Sequence, residues 1–130
     1  MKLQLRNRIQ IGQETEEIVE AYSCQLTQKG AYWYMTYKNA EDETVLIKCN
    51  ASEMIMTRYT SPKTVMRFGK NQTWPYTIAT PLGLQTFETV THTYQWSAET
   101  KCLSICYDLK QAASDTLFAS YHLQLLLVDD

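Results

Sequence analysis

Polar and apolar residues alternate along most of this chain with a period of two. In the opening segment MKLQLRNRIQIG, apolar residues hold the odd positions from Leu3 to Ile11, and only Asn7 interrupts them. Successive side chains of a β-strand point to opposite faces, so this pattern predicts a strand with one buried face. Similar segments recur after short turn-forming stretches, and we predict about ten strands in all. After the first strand they are Ile18–Leu26, AYWYMTYK, TVLIKCN, EMIMTRY, TVMRF, WPYTIAT, LQTFETVTHTYQW, KCLSICYDL and LFASYHLQLLLV.

Short connections between consecutive strands predict an all-β fold, and its most plausible form is a single antiparallel up-and-down β-barrel of about 8–10 strands. The segment Leu84–Trp96 favours a barrel, because it would extend roughly 40 Å, whereas a compact domain of this length has a radius of gyration of only ~14 Å. Strands in a closed barrel tilt, which accommodates such a length. We expect a wide corner at Thr80–Gly83 and a helical turn or two at Leu109–Asp115.

The composition of the chain limits its possible binding partners and its cellular location. The chain has 130 residues, enough for one domain over residues 1–130. Its 12 Lys and Arg against 14 Asp and Glu give a net charge of -2, which argues against a nucleic-acid partner. No apolar run approaches the ~20 residues needed to span a bilayer, and the first residues do not resemble a secretory signal. We therefore expect a cytoplasmic protein, without a membrane partner, whose four cysteines are reduced.

A longer pattern carries a resemblance to a known family. An Arg follows an apolar strand, and then come Met-x-Phe, a Tyr, and Thr-Pro-x-Gly, which opens a long alternating strand that ends in Thr. Here these residues are Arg58, Met66, Phe68, Tyr76, Thr80, Pro81, Gly83 and Thr91. With this pattern the chain resembles the YwiB-like family of bacterial proteins, in which no activity is assigned. The family usually has Gly where this chain has Thr60. The resemblance implies a calycin-like or lipocalin-like β-barrel and implies no reaction.

The long strand contains the most suggestive polar residues. Its even positions are mostly apolar and would face the interior, which places Glu88 and His92 there as well. Positions four apart on a strand are ~13 Å apart, so these two side chains would not bond each other. Arg58 is a candidate counter-charge, although its strand can be read with Arg58 facing inward or outward. The candidate ligand-binding residues of the barrel interior are Arg58, Met66, Phe68, Tyr76, Glu88, His92 and Tyr94.

Metal and cofactor chemistry find little support. Cys102 and Cys106 would lie ~13 Å apart on one strand, too far to share a zinc ion. His92 and His122 fall on opposite faces by parity. The chain has only four glycines and no Gly-x-Ser-x-Gly motif, so neither a phosphate-binding loop nor a serine nucleophile is indicated. We expect no cofactor, no metal and no catalytic residue.

Three functions remain open. The first is a non-enzymatic barrel that binds a small, mostly apolar or amphipathic molecule, with an anionic end held by Arg58. The second is an enzyme with Glu88 and His92 as acid and base. The third is an interaction or dimerising protein with a filled barrel, in which the aromatic segment Tyr32–Tyr37 contacts a partner or a second copy.

Overall fold

The computed structural model describes residues 1–129, and these form ten β-strands without a helix. The strands are β1 (Lys2–Ile11), β2 (Glu14–Lys29), β3 (Tyr32–Lys38), β4 (Thr44–Cys49), β5 (Glu53–Tyr59), β6 (Thr64–Gly69), β7 (Thr73–Thr80), β8 (Gly83–Ser97), β9 (Cys102–Gln111) and β10 (Leu117–Val128). The segment Leu109–Asp115, for which a helical turn was expected, completes β9 and then forms a turn. That expectation was wrong because strand pairing with β10 continues through Leu109 and Lys110.

All neighbouring strands are antiparallel, in the order β6, β5, β4, β3, β2, β1, β10, β9, β8, β7. Strands adjacent in sequence are therefore adjacent in the sheet, except that β1 also pairs with β10 and that β6 and β7 form the two edges. These edges come together at one end, where Asn71 N donates to Thr91 O and Thr91 N donates to Gln72 O. The buried Thr89 hydroxyl adds a bond to Arg67 O at 2.7 Å. The result is a nearly closed barrel, as the alternation predicted.

The longest strands bend around the barrel by changing partners. In β2, Glu14–Ser23 pair with β1 and Cys24–Lys29 pair with β3. In β8, Gly83–Val90 pair with β7 and Phe87–Ser97 pair with β9, so only four residues have partners on both sides. The tilt inferred from strand length is thus accompanied by strands that each cover two neighbours in succession.

A bulge interrupts β8. Thr91 pairs with Tyr107 and Thr93 pairs with Cys106, so His92 is an extra residue without a partner in the ladder. Such an insertion reverses which residues face inward. Before the bulge the odd positions Phe87, Thr89 and Thr91 are buried, and after it the even position Tyr94 is buried.

One end of the barrel is filled. Trp33 packs against Trp96 with ring centroids 6.0 Å apart. Fully buried apolar side chains continue the packing from six strands: Leu3, Met35, Ile47, Met54, Leu103 and Leu125. The opposite end carries the turns of the β1–β2, β3–β4, β5–β6, β7–β8 and β9–β10 hairpins, and there the packing leaves space.

Candidate functional site

A cavity of about 290 Å³ opens at the end of the barrel that carries these five turns. Strands β1 to β7 and the β3–β4 turn supply its walls, and most of the inward side chains here are polar or unbranched. The lining residues are Leu5, Glu20, Tyr22, Tyr37, Asn39, Ala40, Glu41, Val45, Met56, Arg58, Thr64, Met66 and Tyr76.

Arg58 faces inward, which answers the question that the sequence left open. In the ladder it lies between Val45 on β4 and Thr64 on β6, and all three line the cavity. Its Nε atom is buried and has no hydrogen-bond partner. The nearest carboxylate oxygen, Glu43 Oε1, is 3.9 Å away, beyond hydrogen-bond distance. A buried donor without a partner costs free energy that an anionic ligand could recover.

The wall beside Arg58 is apolar and deformable. Met56 and Met66 lie directly opposite each other in the β5–β6 ladder, and Leu5 and Val45 line the same space. Methionine side chains are unbranched and fill irregular volumes, so this wall can adapt to ligands of different shape. Met66 therefore lies where the sequence placed it.

Three tyrosines complete the cavity. The rings of Tyr22 and Tyr37 stack with centroids 5.1 Å apart, and the Tyr22 hydroxyl donates to the Glu20 carboxylate. Burial and the neighbouring Glu20 raise the pKa of Tyr22 to about 12. Burial also raises the pKa of Tyr37, and that of Tyr76 despite the opposing effect of Arg58. All three phenols stay protonated at neutral pH and can donate hydrogen bonds.

A second hollow of about 280 Å³ adjoins the cavity where β6 and β7 diverge. Arg58, Thr64 and Tyr76 line both spaces. The β5–β6 turn Thr60–Pro62 and the end of β7 form its outer boundary. Between the first residues of β6 and the last residues of β7 the described chain has no backbone ladder, so the cavity also opens sideways along this seam.

Phe68 and Tyr94 are interior residues but do not line the cavity. Phe68 packs against Tyr107 with ring centroids 4.6 Å apart. The Tyr94 hydroxyl lies 2.8 Å from Asn50 O and 2.6 Å from Glu53 O, where it holds the β4–β5 turn. Both side chains contribute to packing, and their predicted contact with a ligand finds no geometric support.

Glu88 and His92 do not face the interior, and this prediction was wrong. The parity argument assumed a regular strand, but the burial of Phe87, Thr89 and Thr91 turns Glu88 outward, opposite Lys110. His92 is the bulge residue, and about half of its side chain is exposed. Neither residue lines the cavity, so the pairing of both as acid and base of an interior site loses its structural basis.

On the outer face His92 joins a short polar chain. Its Nε2 lies 2.9 Å from Asp108 Oδ2, and the Ser120 hydroxyl donates to Asp108 Oδ1 at 2.8 Å. Partial burial of Asp108 acts to raise its pKa, but the hydrogen bonds from His92 and Ser120 outweigh this effect and lower the pKa. In a catalytic triad the histidine contacts the serine, whereas here both contact the aspartate, so the arrangement does not activate Ser120.

His122 also lies outside the barrel, hydrogen-bonded to Ser104 at 3.0 Å. The two histidines thus share the outer face, which the bulge explains.

Burial raises the pKa of the Cys49 thiol to about 12, which makes it a poor nucleophile. Within residues 1–129 no group of three or more His, Cys, Asp or Glu side chains is placed to hold a metal ion. The same residues contain no helix of the length and apolar character that a bilayer crossing requires.

The aromatic segment of β3 is used largely within the barrel itself. Trp33 packs on Trp96 and Tyr37 stacks on Tyr22. On the outer face the Lys48 ammonium lies 4.2 Å from the ring centre of Tyr32. The same ammonium lies 5.9 Å from the ring centre of Tyr34, so these two tyrosines share the outer face of β3. A partner at this strand stays a prediction.

Sequence reasoning missed Glu20, Tyr22, Tyr37 and Met56 as cavity residues. A signal for Glu20 existed: it occupies an inward position of β2, two residues from Tyr22, where the alternation would place an apolar residue. An acidic residue in an inward series marks the point where the interior becomes polar.

Comparisons with known proteins give a family and a similar fold. A family model described as "Domain of unknown function (DUF1934)" matches residues 3–125. The crystal structure of the ywiB protein from Bacillus subtilis is similar with a TM-score of 0.77, at 16% sequence identity, over 98% of this chain and 91% of that one. A search of curated proteins gives no significant match.

Proposed function

The chain belongs to the family described as a domain of unknown function (DUF1934), and on this premise we propose that it is a barrel that binds a small molecule without transforming it. The observation that carries this proposal is the buried Arg58 Nε, which has no hydrogen-bond partner and belongs to a side chain that lines a cavity of about 290 Å³. Ligand pockets combine an apolar lining with a few polar groups of this kind.

The ligand of this proposal is amphipathic. Its apolar part packs on Met56 and Met66, and its anionic group accepts hydrogen bonds from Arg58 and from the Tyr76 hydroxyl, both of which line the cavity. Arginine suits a planar carboxylate because its guanidinium donates two parallel hydrogen bonds. Of the ligand-binding residues predicted from sequence, Arg58, Met66 and Tyr76 are retained in this proposal.

A binding role fits the cavity better than a catalytic one. Its titratable residues are Glu20, Glu41, Arg58 and the tyrosines. The pKa values of Tyr22, Tyr37 and Tyr76 are raised, which moves them away from the range useful for proton transfer at neutral pH. A cytoplasmic location, a calycin-like relationship and a second copy as partner stay predictions.

Native mass spectrometry of the protein purified gently from its own host tests the proposal. We expect a fraction of the protein to carry one additional small mass, which is released on unfolding and contains an acidic group. Protein of the bare polypeptide mass alone, together with no saturable binding of medium-chain carboxylates in titration, would contradict it.

A further inference from the structure

The charges around the cavity are unequal. Arg58 is the only Lys or Arg among the described residues that line it, whereas Glu20 and Glu41 line it and Glu43 lies beside Arg58. One positive and three negative side chains give this group a net formal charge of -2 at neutral pH. A simple anion that approached Arg58 would also meet three carboxylates, and a phosphate dianion would meet still stronger repulsion.

A simple cation would not match all the charged groups of the cavity either. It would be attracted by the carboxylates, but the buried Nε of Arg58 would keep no acceptor and would be repelled by the added positive charge. The lining therefore favours a molecule that carries both a positive and a negative group, with the negative group at Arg58.

Glu20 is the residue best placed for the positive group. It lies on the inner face of β2, opposite Leu5, and its carboxylate accepts a hydrogen bond from Tyr22. A carboxylate has further acceptor positions for an ammonium group. The stacked rings of Tyr22 and Tyr37 adjoin it, and aromatic faces attract cations.

Resting on the function proposed above, we infer that the ligand is zwitterionic. Its carboxylate binds Arg58, its ammonium or amidinium group binds Glu20 beside the stacked tyrosines, and an apolar linker packs on Met56 and Met66. A cavity of about 290 Å³ lies at the lower end of the range of small-molecule pockets, which restricts the ligand to a compact amino-acid-like compound.

Three probes of equal length separate these contributions: 8-aminooctanoate, octanoate and octylamine, each titrated calorimetrically into the wild-type protein at pH 7. We expect 8-aminooctanoate to bind about ten-fold more tightly than either singly charged probe, because each end recovers one charged hydrogen bond in a partly exposed site. This comparison needs no variant and decides the inference by itself.

Two variants assign the ends. In Glu20→Gln the affinity for 8-aminooctanoate should fall to that of octanoate, while the affinity for octanoate stays equal or rises. Glu17→Gln on the outer face of the same strand is the matched control and should leave all three affinities unchanged. In Arg58→Met both carboxylates should lose binding.

The outcomes distinguish the zwitterionic nature of the ligand from the binding function itself. Octanoate that binds the wild type as tightly as 8-aminooctanoate, with Arg58→Met abolishing both, overturns the zwitterion and leaves the binding barrel standing. Affinities that are unaffected by Arg58→Met, or the absence of binding by all three probes, overturn both.

Discussion

Arg58 Nε and Glu43 Oε1 lie 3.9 Å apart, an ion pair that attracts without a hydrogen bond. Asn39 explains the gap, because its Nδ2 donates to the same Glu43 oxygen at 2.9 Å while its Oδ1 accepts from Glu43 N at 3.0 Å. The β3–β4 turn thus fixes the carboxylate and keeps it from closing on the guanidinium. The Nε atom of Arg58 is therefore left without a hydrogen-bond acceptor.

Replacing Arg58 should therefore separate binding from stability. In Arg58→Met we expect the bound molecule to be lost, while the free energy of unfolding changes by less than about 1 kcal/mol, because an unpaired buried donor is removed together with a weak ion pair. Mass spectrometry of the native protein and urea denaturation measure the two effects.

Arg6→Met on the outer face is the matched control, since Arg6 pairs with Glu17 at 3.1 Å and faces away from the cavity. It should retain the ligand. Loss of the ligand in both variants, or a strongly destabilised Arg58→Met, would show that Arg58 is mainly a structural residue.

Tyr94→Phe should weaken the filled end of the barrel. The hydroxyl shares its one hydrogen between the carbonyl oxygens of Asn50 and Glu53, and its removal takes this donor away from both. We expect a loss of about 1–2 kcal/mol in the free energy of unfolding, measured in urea. Tyr34→Phe, on the outer face of β3, should change it by less than about 0.5 kcal/mol. Equal losses in the two variants would contradict a specific role of the Tyr94 hydroxyl.

The His92–Asp108 contact should make stability fall in acid. The pKa of Asp108 is lowered in the folded protein, so the folded state binds this proton less readily than the unfolded state. Its contribution is present above the unfolded value of 3.8 and is lost as the pH falls through the lower folded value. Asp108→Asn should accordingly show a smaller drop in unfolding free energy between pH 6 and pH 3 than the wild type. Asp115→Asn, at an exposed turn, should retain the wild-type drop, and identical curves for Asp108→Asn and wild type would refute the assignment.

Deleting His92 should be tolerated, because it is the extra residue of the β8 bulge. Without it Thr91 still faces Tyr107 and Thr93 still faces Cys106, so both halves of the ladder keep their registers. We expect a folded protein that loses about 1 kcal/mol, the value of a partly exposed hydrogen bond. Near-ultraviolet circular dichroism and urea denaturation report the outcome.

Deletion of Gln95, in the regular part of the strand, is the contrasting change. It would turn Trp96 outward and break its contact with Trp33, so it should destabilise the protein by several times as much. Similar effects of the two deletions would mean that the bulge does not set the register.

The alternation was sufficient to predict the strands and the barrel, because each hairpin follows from local residues and one buried face. It could not predict the bulge, since the residues around His92 look like those of a regular strand. One inserted residue reversed the faces of half of β8, and with them the placement of Glu88 and His92.

The sequence also did not predict the geometry of the β7–β8 turn or the position of the cavity. At Thr80–Gly83 a wide corner was expected, yet Thr80 pairs directly with Gly83 in a two-residue hairpin, whose Gly83 has φ of 112° and whose Thr80 hydroxyl accepts from Leu82 N. The hydrogen bond to the Thr80 side chain and the positive φ of Gly83, which residues with a Cβ rarely adopt, make the tighter turn possible. The cavity forms where inward side chains from seven strands do not fill the space between them. Its position depends on all of these strands together, so the sequence of one segment could not predict it.

The sheet order divides the chain into two meanders, β1 to β6 and β7 to β10, that meet through the ladder between β1 and β10. Each meander can form by successive hairpins, whereas Leu3 and Leu127 must find each other across almost the whole chain. Closing so large a loop has an entropic cost that local contacts do not recover. The docking of β1 on β10 should therefore be the slow step of folding.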